Sequence, residues 1–213
     1  MKERPILFSG PMVRAILDGS KTMTRRIVKP QPAADSNLRD VRSAQADTLA
    51  PSFRCPFGVP GDRLWVRETW VESERFGVDG EDDAAVSVHY RADDLVSAPI
   101  RVSDDTWRDA GRRIERYQST EAESWRPSIH MPRWASRIDL EVTGVRVERL
   151  QDITEEDAKA EGVDHVSIAD VPRQAAWSCR QDFSVLWDKI NGGKAPWKSN
   201  PWVWVVSFKR VRP

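Results

Sequence analysis

The run Trp202 to Val211 (WVWVVSFKRV) constrains the fold more than any other part of this chain. Aromatic and β-branched residues occupy both alternating faces near its start, so a strand here has to be covered on both sides. A second strand pattern, Asp62 to Trp70 (DRLWVRETW), puts Leu64, Val66, Glu68 and Trp70 on one face and Trp65, Arg67 and Thr69 on the other. Tryptophan on both faces means that neither simply meets solvent. Ile138 to Val142 alternates cleanly, and Gly144 interrupts the pattern before Val145, Val147 and Leu150, which predicts one long strand or a hairpin. Shorter strands are expected at Pro5–Phe8 and Val86–Tyr90.

Helical signals fall between these runs. Met12, Val13, Ile16 and Leu17 repeat at helical spacing behind Ser9 and Pro11, and Gly19 supplies a left-handed stop. Thr154-Glu155-Glu156-Asp157 opens a helix that ends at Gly162. Phe183, Leu186, Trp187 and Ile190 mark an amphipathic helix over 182–191. Strands outnumber short helices, which predicts an α+β chain built as a small mixed β-barrel with peripheral helices. Residues 30–61 read as a long loop. Residues 72–94 carry eight Asp or Glu against Arg75 and Arg91, and 97–130 show no clean period. The whole of 1–213 is therefore expected to form one domain, with 72–130 an inserted segment: a solvated excursion or a candidate lid.

Lys+Arg and Asp+Glu balance at 33 each, which argues against coating nucleic acid by bulk charge. Residues 4–29 nevertheless hold six basic residues against Asp18, a local positive patch. Two cysteines, Cys55 and Cys179, are too few for a disulfide framework and suit reduced thiols in a cytoplasmic protein. No apolar run approaches the ~18 residues of a membrane span, and the charged start lacks the apolar core of a signal peptide. His89, His130 and His165 show no metal-ligand spacing, so neither metal nor other cofactor is expected.

The chemistry-bearing stretch is Gly19-Ser20-Lys21-Thr22-Met23-Thr24-Arg25-Arg26, read as a loop behind the first helix. A lysine three residues from a hydroxyl can serve as base to a nucleophile, and Arg25 and Arg26 can hold an anion. Burial and the two arginines would lower the lysine from its ordinary range, whereas a close carboxylate would keep it charged. A second constellation, Trp125 to Trp134 (WRPSIHMPRW), mixes tryptophan and arginine without an acid. It fits base stacking and phosphate holding by Arg133 and Trp134, or a proline-stiffened loop packed on the core. Trp65 and Glu68 join this candidate substrate-binding set, with a Glu68–arginine pair as the plainer alternative.

Gly19, Lys21 and Arg26 form Gly-x-Lys-x-x-x-x-Arg, which resembles the signature of the ASCH family, whose domains have a PUA-like fold and act on or bind RNA and modified nucleosides. Pro60 to Glu68 (PGDRLWVRE), Ile153 to Ala158 (ITEEDA) and the tryptophan-rich last strand follow in the family's order. The resemblance implies a PUA-like barrel. It is similar to members that hydrolyse the acyl amide of N4-acetylcytidine with a lysine, a threonine and a glutamate. Lys21 and Thr24 match the first two. An ungapped match from Leu150 to Glu155 brings Glu161 to the third position, with Glu155, Glu156 and Glu68 as fallbacks. The implied partner is a modified nucleoside or RNA, with no membrane and no obligate protein partner. A non-catalytic reader of RNA or of a modified base, and a ribonuclease, are the alternative expectations.

Overall fold

The structure is a computed structural model that describes residues 1–32, 54–77, 84–119, 125–163 and 178–211. Most of the expected loop over 30–61, parts of the 72–130 segment and His165 lie outside the described residues. In chain order the elements are β1 (Glu3–Leu7), α1 (Gly10–Leu17), β2 (Met23–Ile27), β3 (Arg63–Arg67), β4 (Trp70–Phe76), β5 (Ala85–Tyr90), β6 (Leu95–Val96), β7 (Ile100–Arg101), α2 (Asp104–Ser119), β8 (Asp139–Arg149), α3 (Glu155–Ala160), α4 (Cys179–Asn191) and β9 (Trp202–Val211).

The class is mixed α+β with two sheets. One runs in the order β1-β3-β8-β9-β2, the other β4-β5-β6, with β7 also pairing β5. Neither sheet closes on itself among the described residues, so the closed barrel expected from the sequence is not present in them. The chain divides into two compact units. The first comprises Met1–Arg4, Ala15–Leu64 and Asp139–Pro213; the second comprises Pro5–Arg14 and Trp65–Ile138. The expected insertion over 72–130 falls inside the second unit.

In the first unit β9 is the organising strand. It pairs antiparallel with β8 on one side and β2 on the other, and it is buried from Trp202 to Val206. Both alternating faces are therefore covered, as its composition demands. The Gly144 interruption is a bulge in one continuous strand, not a hairpin turn: the β8–β9 register shifts between Val142 and Gly144. Helix α3 is capped by Thr154, whose hydroxyl accepts from the Asp157 amide, and α4 begins with a capping box between Ser178 and Gln181. Phe183, Leu186 and Trp187 of α4 are buried, while Ile190, its fourth expected core position, is exposed.

The second unit corrects two expectations. The strand predicted over Asp62–Trp70 breaks after Arg67. Its alternation continues, but Trp70 starts β4 in the other sheet, and its amide and carbonyl exchange hydrogen bonds with Arg126. The aperiodic stretch 97–130 contains α2, a helix of 16 residues. Among its described side chains Trp107, Ala110 and Ile114 pack against Val86, and most of the others are charged. A second cluster joins Trp70, Val88, Tyr90, Met131 and Ala135.

The entry into β3 in the first unit is pinned by one carboxylate. Asp62 accepts from the Lys2 amide at 2.7 Å, from the Arg4 guanidinium at 2.7 Å and from the Val59 amide at 3.3 Å. Burial works against its charge, but these three donors outweigh it and hold Asp62 below the usual aspartate range. A depressed acid stabilises the fold above its unfolded pKa and loses that contribution as pH falls through the folded value. Asp62→Asn is expected to cost about 1–3 kcal/mol at pH 7, with the deficit against wild type shrinking as pH falls below the usual aspartate range, in urea titrations.

Candidate functional site

The stretch expected as a loop is held as a strand over its second half. Backbone bonds fix it from both sides: the Lys21 amide donates to the Ala15 carbonyl, and the Thr22 amide to the Ala160 carbonyl at the end of α3. Met23 to Ile27 then form β2, with Thr24 opposite Val206, Arg25 opposite Val205 and Arg26 opposite Trp204. Strand alternation sets Met23 and Arg25 on one face and Thr24 and Arg26 on the other.

Lys21 and Glu161, 140 positions apart, meet. The Lys21 Nζ donates to Glu161 Oε2 at 2.8 Å and to the Glu161 backbone carbonyl at 2.8 Å. The lysine side chain has 0% exposure and the glutamate 4%. Burial pushes the Lys21 ammonium below the ordinary lysine range; Glu161 pulls it back up, and Arg26 and Arg25 press it further down.

Arg25 is the hub of a wider network. It too has 0% side-chain exposure. Its Nη1 donates to Glu161 Oε1 at 3.3 Å. Its Nη2 donates to Glu148 Oε1 at 2.5 Å and to Asp157 Oδ2 at 2.6 Å, and its Nε to Glu148 Oε1 at 3.2 Å. Arg146 closes the frame, donating to Glu148 Oε2 at 2.9 Å and to Asp157 Oδ2 at 2.6 Å. The ring of Phe183 lies 5.9 Å from the Arg25 guanidinium carbon. Burial opposes the charge on Arg25, but Glu161 and Glu148 outweigh it and raise its pKa, so it stays a cation.

Thr24 is buried at 3% exposure. It shares its face of β2 with Arg26, the half-buried guanidinium whose field acts on Lys21 and in turn feels Glu161. Burial draws Arg26 below the ordinary arginine range, the Glu161 carboxylate opposing it. The Arg26 guanidinium also lies 5.8 Å from the Phe57 ring.

Trp65, Glu68, Arg133 and Trp134 lie in the second unit. Both Glu68 oxygens accept from Arg137, each at 2.9 Å, and Arg137 also donates to Asp93. This is the plainer Glu–Arg pair, and burial raises the Glu68 pKa against the pull of Arg137, with Asp93 adding to the rise. Trp65 and Arg133 come together, the guanidinium 6.0 Å from the ring and Arg67 nearer at 4.7 Å. Trp134 is partly buried and packs edge-on against Trp70 at 5.8 Å, at the margin of the core. The fallback Glu155 accepts from the Arg180 amide on α4.

Sequence reading missed Arg146, Glu148 and Asp157. Arg146 and Glu148 stand two apart on one face of a strand that also carries Asp139, Glu141 and Arg149, so the pair does not stand out. Asp157 was read only as part of a helix start. What the sequence cannot display is that one arginine would collect all three carboxylates.

Comparison with protein-family models, with curated proteins and with solved structures returned no match.

Gly162 closes α3 at φ +77°, and a Cβ added there would come within 2.9 Å of the Ala15 Cβ and 3.0 Å of the Lys21 Cβ. The backbone behind Glu161 thus lies directly against the stem of Lys21. Gly162→Ala should lower stability by about 1–3 kcal/mol, through both the left-handed conformation and the clash, in chemical denaturation. An unchanged midpoint would mean that this approach is looser than it stands here.

Proposed function

We propose that this chain is an ASCH-type, PUA-like protein that hydrolyses an acyl amide on a modified pyrimidine nucleoside of the N4-acetylcytidine kind. The observation that carries this reading is the contact between the Lys21 amine and the Glu161 carboxylate, buried together and supplied by distant parts of the chain. Amide cleavage needs a base for the nucleophile and an acid for the leaving amine. Moving one proton across the Lys21–Glu161 bond turns ammonium and carboxylate into amine and carboxylic acid, which are that base and that acid. Burial lowers the Lys21 pKa and so eases that transfer, against the pull of the Glu161 carboxylate.

In this scheme the Thr24 hydroxyl gives its proton to the neutral Lys21 amine as its oxygen bonds to the acyl carbon. Arg26, on the same strand face, stabilises the oxyanion. Glu161 delivers its proton to the departing N4 as the carbon–nitrogen bond breaks, releasing cytidine and leaving an acyl-threonine ester. Water then attacks the ester, and Thr24 takes a proton back as the carboxylic acid leaves. The net reaction consumes one amide and one water.

Phosphate reading by Lys21, Arg25 and Arg26 is less well supported. The Lys21 and Arg25 side chains are fully buried, and together they serve three carboxylates. Taking them to a phosphate would strand those carboxylates without their cations.

Purified protein should release cytidine and acetate from N4-acetylcytidine. Lys21→Arg keeps the charge but removes the base, and Thr24→Val keeps the shape but removes the nucleophile. Each should lower kcat at least ~100-fold, with thermal unfolding used to verify the fold. Full turnover in Thr24→Val would overturn the assignment, as would a wild-type protein inert on a panel of N4-acylated cytidines.

A further inference from the structure

We propose that Arg25 is a positioning residue for Glu161, and that Glu148 and Asp157 are present to cancel its charge. The inference rests on the acid–base role given above to Lys21 and Glu161. Glu161 has two oxygens with different duties. Oε2 holds Lys21 at 2.8 Å, and Oε1 is caught by Arg25 at 3.3 Å. A carboxylate gripped at both oxygens cannot rotate about its terminal bond, so Oε2 stays aimed at the amine.

A bare guanidinium beside Glu161 would carry a cost for the proposed chemistry. It would hold the carboxylate ionised and stop it from taking the shared proton. The structure answers this with a balanced frame. Arg25 and Arg146 face Glu148 and Asp157, two cations to two anions, and each carboxylate is shared by both arginines. Glu148 and Asp157 therefore offset part of the field that Arg25 puts on Glu161, while its donor stays aimed at Oε1. Arg25 and Arg26 on β2 act on the Lys21–Glu161 pair directly, and Glu148 and Arg146 on β8 and Asp157 on α3 act on it through Arg25. From α4 the frame meets the apolar ring of Phe183.

The frame makes a prediction of sign that simple damage to the fold would not produce. Glu148→Gln keeps the shape but removes a negative charge, so the pair should titrate at lower pH. Arg25→Gln removes a positive charge, so the pair should titrate at higher pH. Each shift is expected to be on the order of one pH unit. The double variant Arg25→Gln/Glu148→Gln should return towards wild type, because the two charge changes cancel.

Two readouts separate this inference from the function it rests on. The first is the side-chain nitrogen resonance of Lys21, followed by NMR against pH, which needs no substrate. The second is the pH profile of kcat on N4-acetylcytidine, with KM followed alongside. Opposite shifts in the two single variants, and their cancellation in the double, support the frame even if no acylated nucleoside is turned over. Shifts of the same sign, or no shift in Lys21, overturn it even if turnover is observed. Arg25→Lys gives a further arm, since it keeps the charge and loses the multidentate grip. The titration should then stay near wild type while kcat falls more than KM changes; an unaffected kcat would remove Arg25 from the positioning role.

Discussion

Two full cations, the Lys21 ammonium and the Arg25 guanidinium, are taken out of water at one end of β2, and much of the first unit is arranged by the need to pair them. Moving an ion from water into a protein interior costs several kcal/mol even after relaxation. That cost is offset only by well-aligned partners. Here they come from three places in the chain: Glu148 on β8, Asp157 on α3 and Glu161 just beyond it. The register of β8 on β9, and of β9 on β2, places Glu148 within reach of Arg25. The Thr154 cap and the left-handed Gly162 together fix where α3 begins and ends, and hence where its two carboxylates lie. Buried ion networks are poor sources of net stability. Their value here is geometric: they select one arrangement of strand and helix, and that arrangement presents an acid to an amine.

The second unit handles its charges differently. Its arginines lie over aromatic faces: Arg126 over Trp70 at 4.4 Å, Arg75 over Trp107 at 4.4 Å and Arg137 over Tyr90 at 4.0 Å. Such contacts let a guanidinium cover an apolar ring while its nitrogens reach acids, as Arg126 reaches Glu72 at 2.7 Å and Arg137 reaches Glu68. The tryptophan and arginine content that suggests a stacking surface in the sequence is thus partly consumed in building this unit. Trp134 shows it most clearly, since its partly buried ring packs edge-on against the buried Trp70.

Elements with a strong local signature were legible without coordinates. The helix behind Ser9, the helix opened by Thr154, the one carrying Phe183, Leu186 and Trp187, and the strands containing Val142 and Val205 each follow from a period and a terminal residue. Helix α2 escaped because only Trp107, Ala110 and Ile114 of its described side chains form an apolar face among many charges, so the periodic signal is weak. Strand β2 escaped because three polar or charged residues, Thr24, Arg25 and Arg26, occupy its centre. They are buried or half-buried only because β9 and the surrounding carboxylates cover them. The break between β3 and β4 escaped because the alternation runs through it, and only the pairing partner of each half differs.

What the sequence determined by itself was most of the short strands and helices and the glycine stops; that Lys21 meets a glutamate 140 positions away was an expectation drawn from a resemblance, and the contact itself is a finding of the structure. Hydrophobic period and capping are local properties, and a local property can be read from neighbours in the chain. What only the tertiary structure decided was the electrostatic setting of that pair: zero exposure for the amine, an arginine on the far carboxylate oxygen, and two further acids neutralising the arginine. Those depend on distances between β2, β8 and α3. Coulomb energy and desolvation are set by such distances through space, and separation along the chain does not encode them.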